Sequence, residues 1–110
     1  MTEATVETGS SALAELVRRI VDAVHPLRIV LFGSAVRGEL GPDSDVDLLV
    51  VMPEGTHRLE TMRFLHTRLF GIPFPVDILV ATPDDLAQHG ASPGLIYRTI
   101  LQEGKVLYVA

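Results

Sequence analysis

Three aspartates and one glycine-serine pair are the residues of this chain whose types and spacing could do chemistry. Asp45 and Asp47 lie two apart in Asp45-Val-Asp-Leu-Leu-Val-Val-Met52, and Asp77 sits in Pro75-Val-Asp-Ile-Leu-Val80. On a strand, residues two apart project to the same side, whereas on a helix they would diverge by about 200°. Two neighbouring carboxylates repel each other. Something positive has to compensate, and a hard divalent cation such as Mg²⁺ takes oxygen ligands of this kind. Asp77 occupies the same relative step on its own apolar run, so adjacent strands with matching faces would bring three carboxylates together. Such a set can hold two metals roughly 3.5–4 Å apart and stabilise the attacking and leaving oxygens of a phosphoryl or nucleotidyl transfer.

Gly33 closes the apolar run Arg28-Ile-Val-Leu-Phe32 and Ser34 follows it. A glycine at a strand end lets backbone approach a ligand, and the N-terminus of a following helix would offer N–H donors to phosphate. The same pair also reads as an ordinary tight turn capped by serine. Asp43-Ser44-Asp45 has a similar plain reading as a polar turn entering a strand. That reading does not extend to Asp47 and Asp77, since an acid in the body of a doubly covered apolar strand costs several kcal/mol unless paired or metal-bound.

Local patterns supply the elements that must position these groups. Leu13, Leu16, Val17, Ile20, Val21 and Val24 fall at helix intervals, and Pro26 predicts an end near His25. The runs 28–32, 45–52 and 75–80 predict three strands, and 105–109 predicts a last edge strand. Between them, 33–41 has room for a short helix and turn. Leu59, Met62, Leu65 and Leu69 mark a helix with Thr56 at its N-cap, and Thr82-Pro-Asp-Asp85 opens another with a cap, a first-turn proline and acids. Ser92-Pro93 repeats that signal for a helix ending at Gly104, a C′ glycine. Strands alternating with helices give an α/β fold.

The chain has 110 residues, 9 Lys+Arg against 14 Asp+Glu for a net charge of −5, 47% hydrophobic residues and no cysteine. One domain over 11–110 behind a flexible tail, 1–10, is the expectation at this length. The acid excess disfavours a nucleic-acid clamp, which depends on neutralising phosphates. Lack of cysteine removes disulfides and thiolate metal sites. No apolar run approaches the roughly 18 residues of a membrane span, and the first ten residues have no signal-peptide core, so a soluble, cytoplasmic protein is expected. His57 and His66 are not spaced as a helical metal clip, and each reads as surface or packing. Arg58, Arg63 and Arg68 spiral around their helix and read as a solvated side. Tyr97 and Tyr108 read equally as core or interface.

The pattern Gly-Ser-x₂-Arg-Gly-x₅-Ser-Asp-x-Asp, from Gly33 to Asp47, resembles the signature of the polymerase-beta-like nucleotidyltransferase superfamily, and within it the minimal nucleotidyltransferases. The closing Glu103-Gly-Lys-Val-Leu-Tyr108 is similar to the end of these small proteins. The resemblance implies a small mixed β-sheet flanked by helices with an αβαβαβ core. It implies that Gly33 and Ser34, with Arg37 and Ser44, bind the triphosphate, that Asp45 and Asp47 bind metals, and that Asp77 completes the metal site and orients or deprotonates the attacking hydroxyl. Arg37 can also simply pair with Glu39 or Asp43, and both readings stand. The implied activity is Mg²⁺-dependent transfer of a nucleoside monophosphate, AMP from ATP, with two ions in the loaded site. A chain of this length has no room for an acceptor domain, so the resemblance points to a protein acceptor, a HEPN-domain toxin for which this chain is the antitoxin. Two alternatives remain: neutralisation of the toxin by binding alone, and transfer to a small molecule by a homodimer.

Overall fold

The computed structural model describes residues 11–33, 45–88 and 95–110. In chain order the elements are α1 (Ser11–Val24), β1 (Arg28–Phe32), β2 (Val46–Val51), α2 (Arg58–His66), β3 (Val76–Ala81), α3 (Pro83–Gln88), α4 (Leu95–Glu103) and β4 (Lys105–Val109). The four strands form one mixed sheet in the order β3-β2-β1-β4. The central pair β1 and β2 is antiparallel, β4 pairs antiparallel with β1, and β3 runs parallel to β2. The fold is therefore α/β, a small mixed sheet flanked by helices. The short helix and turn expected over 33–41 and the helix start at Ser92-Pro93 fall largely outside the described residues.

Each face of the sheet builds its own core. One face, with Ile29, Leu31, Leu48, Val50, Ile78 and Val80, packs on Leu13, Leu16, Val17 and Ile20 of α1 and on Leu65 of α2. Each such side chain contributes about 1.5–3 kcal/mol when fully buried. The other face, with Val30, Leu49, Val51 and Ala81, packs on Ile100 of α4, with Leu86 of α3 beside it. Strand β2 is thus covered on both sides, which explains its nearly unbroken apolar sequence.

Helix α1 stops as expected. His25 adopts φ 51, its N–H donates to the Val21 carbonyl at 2.9 Å, and buried Pro26 follows. Three local expectations need correction. The N-cap of α2 is His57, without a side-chain cap bond, because the Thr56 hydroxyl instead donates to the Pro53 carbonyl at 2.7 Å and closes the preceding turn. That helix ends at His66, so Leu69 packs on the core from the turn beyond it. Gly104 does not take the left-handed conformation of a C′ glycine. A Cβ there would lie 2.4 Å from the Ile100 carbonyl and 2.6 Å from Val30, so close approach of α4 to β1 excludes a side chain.

The far ends of β2 and β3 are stapled together. The Asp84 N–H donates to Glu54 at 2.5 Å, and Arg58 pairs with Asp85 at 2.8 Å, so Arg58 is tied down at one end of the row read as solvated. Thr82 and Asp85 form a reciprocal capping box: the Asp85 N–H donates to the Thr82 hydroxyl at 3.2 Å, and the Thr82 N–H donates to the Asp85 carboxylate at 3.0 Å. Burial alone would raise the Asp85 carboxyl, but the Thr82 N–H and hydroxyl and the Arg58 guanidinium outweigh it and hold the group below the usual range. With the folded value below the unfolded one, this stabilisation is present above about pH 4 and fades as pH falls through the folded value. Asp85→Ala should therefore cost about 1 kcal/mol at pH 7, a typical cap loss, and flatten the acid limb of stability, both read from urea midpoints against pH.

Candidate functional site

The antiparallel return from β1 to β2 brings the end of one strand beside the start of the other. Phe32 pairs with Asp47, so Gly33 directly adjoins the carboxylates. Gly33 has φ 80, a conformation that L side chains rarely adopt. The Asp47 carboxylate lies over its bare Cα: a Cβ there would stand 2.4 Å from Asp47 Oδ2 and 3.4 Å from Cγ. The glycine is thus a cradle that only a hydrogen leaves open.

Parallel pairing of β2 with β3 sets Asp47 directly against Asp77. The register runs from Val46↔Val76 to Val51↔Ala81, and the Val46 N–H extends it by donating to the Pro75 carbonyl at 2.9 Å. Because strand side chains alternate, both aspartates share the face of Leu49 and Val51, the side of α3 and α4. Strand β2 begins at Val46, one residue after the start at Asp45 read from the sequence, so Asp45 precedes the strand.

The electrostatics of this cluster are one-sided. Burial pushes the Asp47 carboxyl up, and the charges of Asp77 and Asp45 and a hydrogen bond with Asp77 push it further the same way. Two ionised carboxylates are acceptors only, so a hydrogen bond between them requires a shared proton. No cationic side chain among the described residues offsets these influences on Asp47. A hard divalent cation would do so, and the all-oxygen donor set suits one. Among the described residues, however, no group of three or more histidine, aspartate or glutamate side chains stands ready to hold a metal. Asp77, paired with Asp47 across the strands, acts on it through both charge and a hydrogen bond, and Asp45 through charge alone. The fit therefore rests on donor chemistry and unbalanced charge.

One inference from the sequence changes. Asp47 is half-buried, but Asp77 is exposed, as is Asp45. Asp77 is the second residue of β3, an edge strand of the described sheet, and its exposure means that burial cost does not explain its presence. Of the anticipated site residues, the structure sets Gly33 and Asp77 against Asp47, while Asp45 reaches Asp47 by charge alone; Ser34, Arg37 and Ser44 lie outside the described residues. Nothing in the sequence marks Phe70, between Leu69 and Gly71, although it is the most exposed of the large apolar residues described. A lone phenylalanine beside leucine reads as core.

The family model of the nucleotidyltransferase domain matches residues 11–107. Among solved structures, a nucleotidyltransferase candidate from Sulfolobus solfataricus is similar at a TM-score of 0.55 and 18% identity, over 93% of this chain and 90% of that one. A toxin-antitoxin structure determined with AMP-PNP is similar at a TM-score of 0.50 and 23% identity, over 94% of this chain and 75% of that one. At these identities the likeness is one of fold. No protein of curated function matches the chain. No helix among the described residues is long and apolar enough to cross a membrane.

Proposed function

The chain belongs to the nucleotidyltransferase domain family, and from that premise we propose that it transfers AMP from ATP to a hydroxyl of a partner protein, releasing pyrophosphate. The observation that carries this reading is the apposition of Asp47 and Asp77 beside the bare Cα of Gly33. Asp45, Asp47 and Asp77 would hold Mg²⁺. When bound, the metal supplies Lewis-acid stabilisation of charge on the reacting phosphate oxygens. Gly33, with Ser34, binds the β- and γ-phosphates, and its bare Cα leaves room for the Asp47 carboxylate beside them; Arg37 and Ser44 complete the nucleotide contacts. Asp77 stands on the exposed edge strand, open to an incoming acceptor, and orients its hydroxyl and receives the proton. The acceptor oxygen bonds to the α-phosphorus as the bond from that phosphorus to the bridging oxygen breaks and pyrophosphate departs.

The likeness to a toxin-antitoxin structure with AMP-PNP supports an adenine nucleotide and a toxin as the partner. A HEPN-domain toxin silenced by AMPylation is the reading we adopt. Incubation of the purified chain with α-labelled ATP, Mg²⁺ and a HEPN-domain toxin is expected to label the toxin, and Asp45→Asn is expected to remove the label. A toxin left unlabelled by wild type, or labelled equally by the variant, overturns the enzymatic reading. Neutralisation of the toxin by Asp45→Asn at wild-type level would instead indicate inhibition by binding.

A further inference from the structure

The side of the molecule away from the aspartates carries a feature that nucleotidyl transfer does not use. Arg19 of α1 reaches the turn that follows α2, where its Nη1 donates to the carbonyls of Phe70 at 2.5 Å and Arg68 at 3.2 Å. Its Nε is held by Glu15 at 3.0 Å. This clamp fixes the backbone of a residue whose side chain is 91% exposed, Phe70. Phe70 itself edges a cleft of about 550 Å³, whose other walls include Arg19, Asp22, Ala23, Phe64 and Arg68. Arg68 stands over the Phe64 ring at 4.8 Å, so that aromatic wall is already ordered.

We propose that two copies of this chain form a two-fold symmetric dimer through this face, the Phe70 ring of each seated in the cleft of the other. A projecting ring and a hollow side by side on one patch are what an isologous contact needs, because under two-fold symmetry each copy offers its ring where the other offers its hollow. The rim points the same way. Arg19 is already paired with Glu15, which leaves Asp22 from α1 and Arg68 from the turn as the opposite charges that the dimer would set against each other, Asp22 of one copy facing Arg68 of the other. Aromatic residues of this kind bury about 150–250 Å² each. The Arg19 clamp fixes the backbone beforehand, which lowers the ordering cost of association. The paired faces lie on the α1 and α2 side of the sheet, so both sets of aspartates stay open.

Sedimentation equilibrium on the full chain tests this, without reference to catalysis. Wild type is expected to dimerise, and Phe70→Asp, a surface change that leaves the core intact, to weaken the dimer at least about thirtyfold. Asp22→Arg and Arg68→Asp are each expected to weaken it, and the two together to restore it. A wild-type chain that stays monomeric up to about 1 mM, its cleft then serving a different protein, overturns the proposal. So does a dimer that Phe70→Asp leaves unchanged, or a double variant that associates no better than its single parents. Nucleotide binding by Phe70→Asp at the wild-type level is expected, since the cleft lies on the α1 and α2 side of the sheet and the aspartates face α3 and α4.

Discussion

Replacing Asp47 with asparagine is expected to lower nucleotidyl transfer by about a thousandfold while making the folded chain more stable at neutral pH. The two effects have one origin. Burial, the neighbouring charges of Asp77 and Asp45, and the hydrogen bond with Asp77 all favour the protonated form of Asp47. Its carboxyl therefore titrates higher in the folded chain than in the unfolded one. Stability from such a group is fully present below the unfolded value, near pH 4, and is lost as pH rises through the folded value. Asparagine keeps the shape and carries no charge, so that loss disappears. Urea midpoints should place the variant above wild type at pH 7 and level with it near pH 4. Mg²⁺ should raise the wild-type midpoint and leave that of the variant nearly unmoved, because ligand binding to the folded state alone stabilises it. A variant no more stable than wild type at pH 7 would refute this account of the carboxylate cluster. The cost to stability is the kind that functional sites impose.

Gly33→Ala is the second change with a large expected effect, and it acts through shape. At φ 80 an alanine loses about 1–2 kcal/mol to backbone strain. Its methyl group would also stand 2.4 Å from Asp47 Oδ2, so the carboxylate has to move. A displacement on the order of 1 Å in a reacting group can cost about a hundredfold in rate. We expect a lower urea midpoint and about a hundredfold slower pyrophosphate release per folded molecule. If Gly33 served only to turn the chain, stability would fall and the rate per folded molecule would stay at the wild-type level.

The sequence is most legible where structure is local. The apolar stripe of α1 repeats at the helical period, the runs that become β1, β2 and β3 alternate or stay apolar throughout, and Thr82-Pro83 opens a helix as its capping chemistry requires. Where neighbours compete, legibility falls. Thr56 is a good N-cap by type, but its hydroxyl finds the Pro53 carbonyl first. Gly104 has the right type for a left-handed end, yet its reason includes Val30 at 2.6 Å and the Leu31 carbonyl at 2.8 Å from where a Cβ would stand, which depends on how α4 meets β1. Helix α2 buries fully only Leu65, so its apolar spacing is a weak guide to where it ends.

The candidate site divides in the same way. By itself the sequence determined that Asp47 and Asp77 each stand at an early step of an apolar strand, because side-chain alternation is a property of the strand alone. It could not place one against the other. That depends on the parallel pairing of β2 with β3 and on its register, where a slip of one residue would send the two carboxylates to opposite faces. Only the tertiary structure decided that Asp77 lies on an edge strand open to solvent, and that the antiparallel return of β1 lays Gly33 beneath Asp47. Alternation is written into each strand, whereas strand order and register are settled by packing between segments distant in the chain.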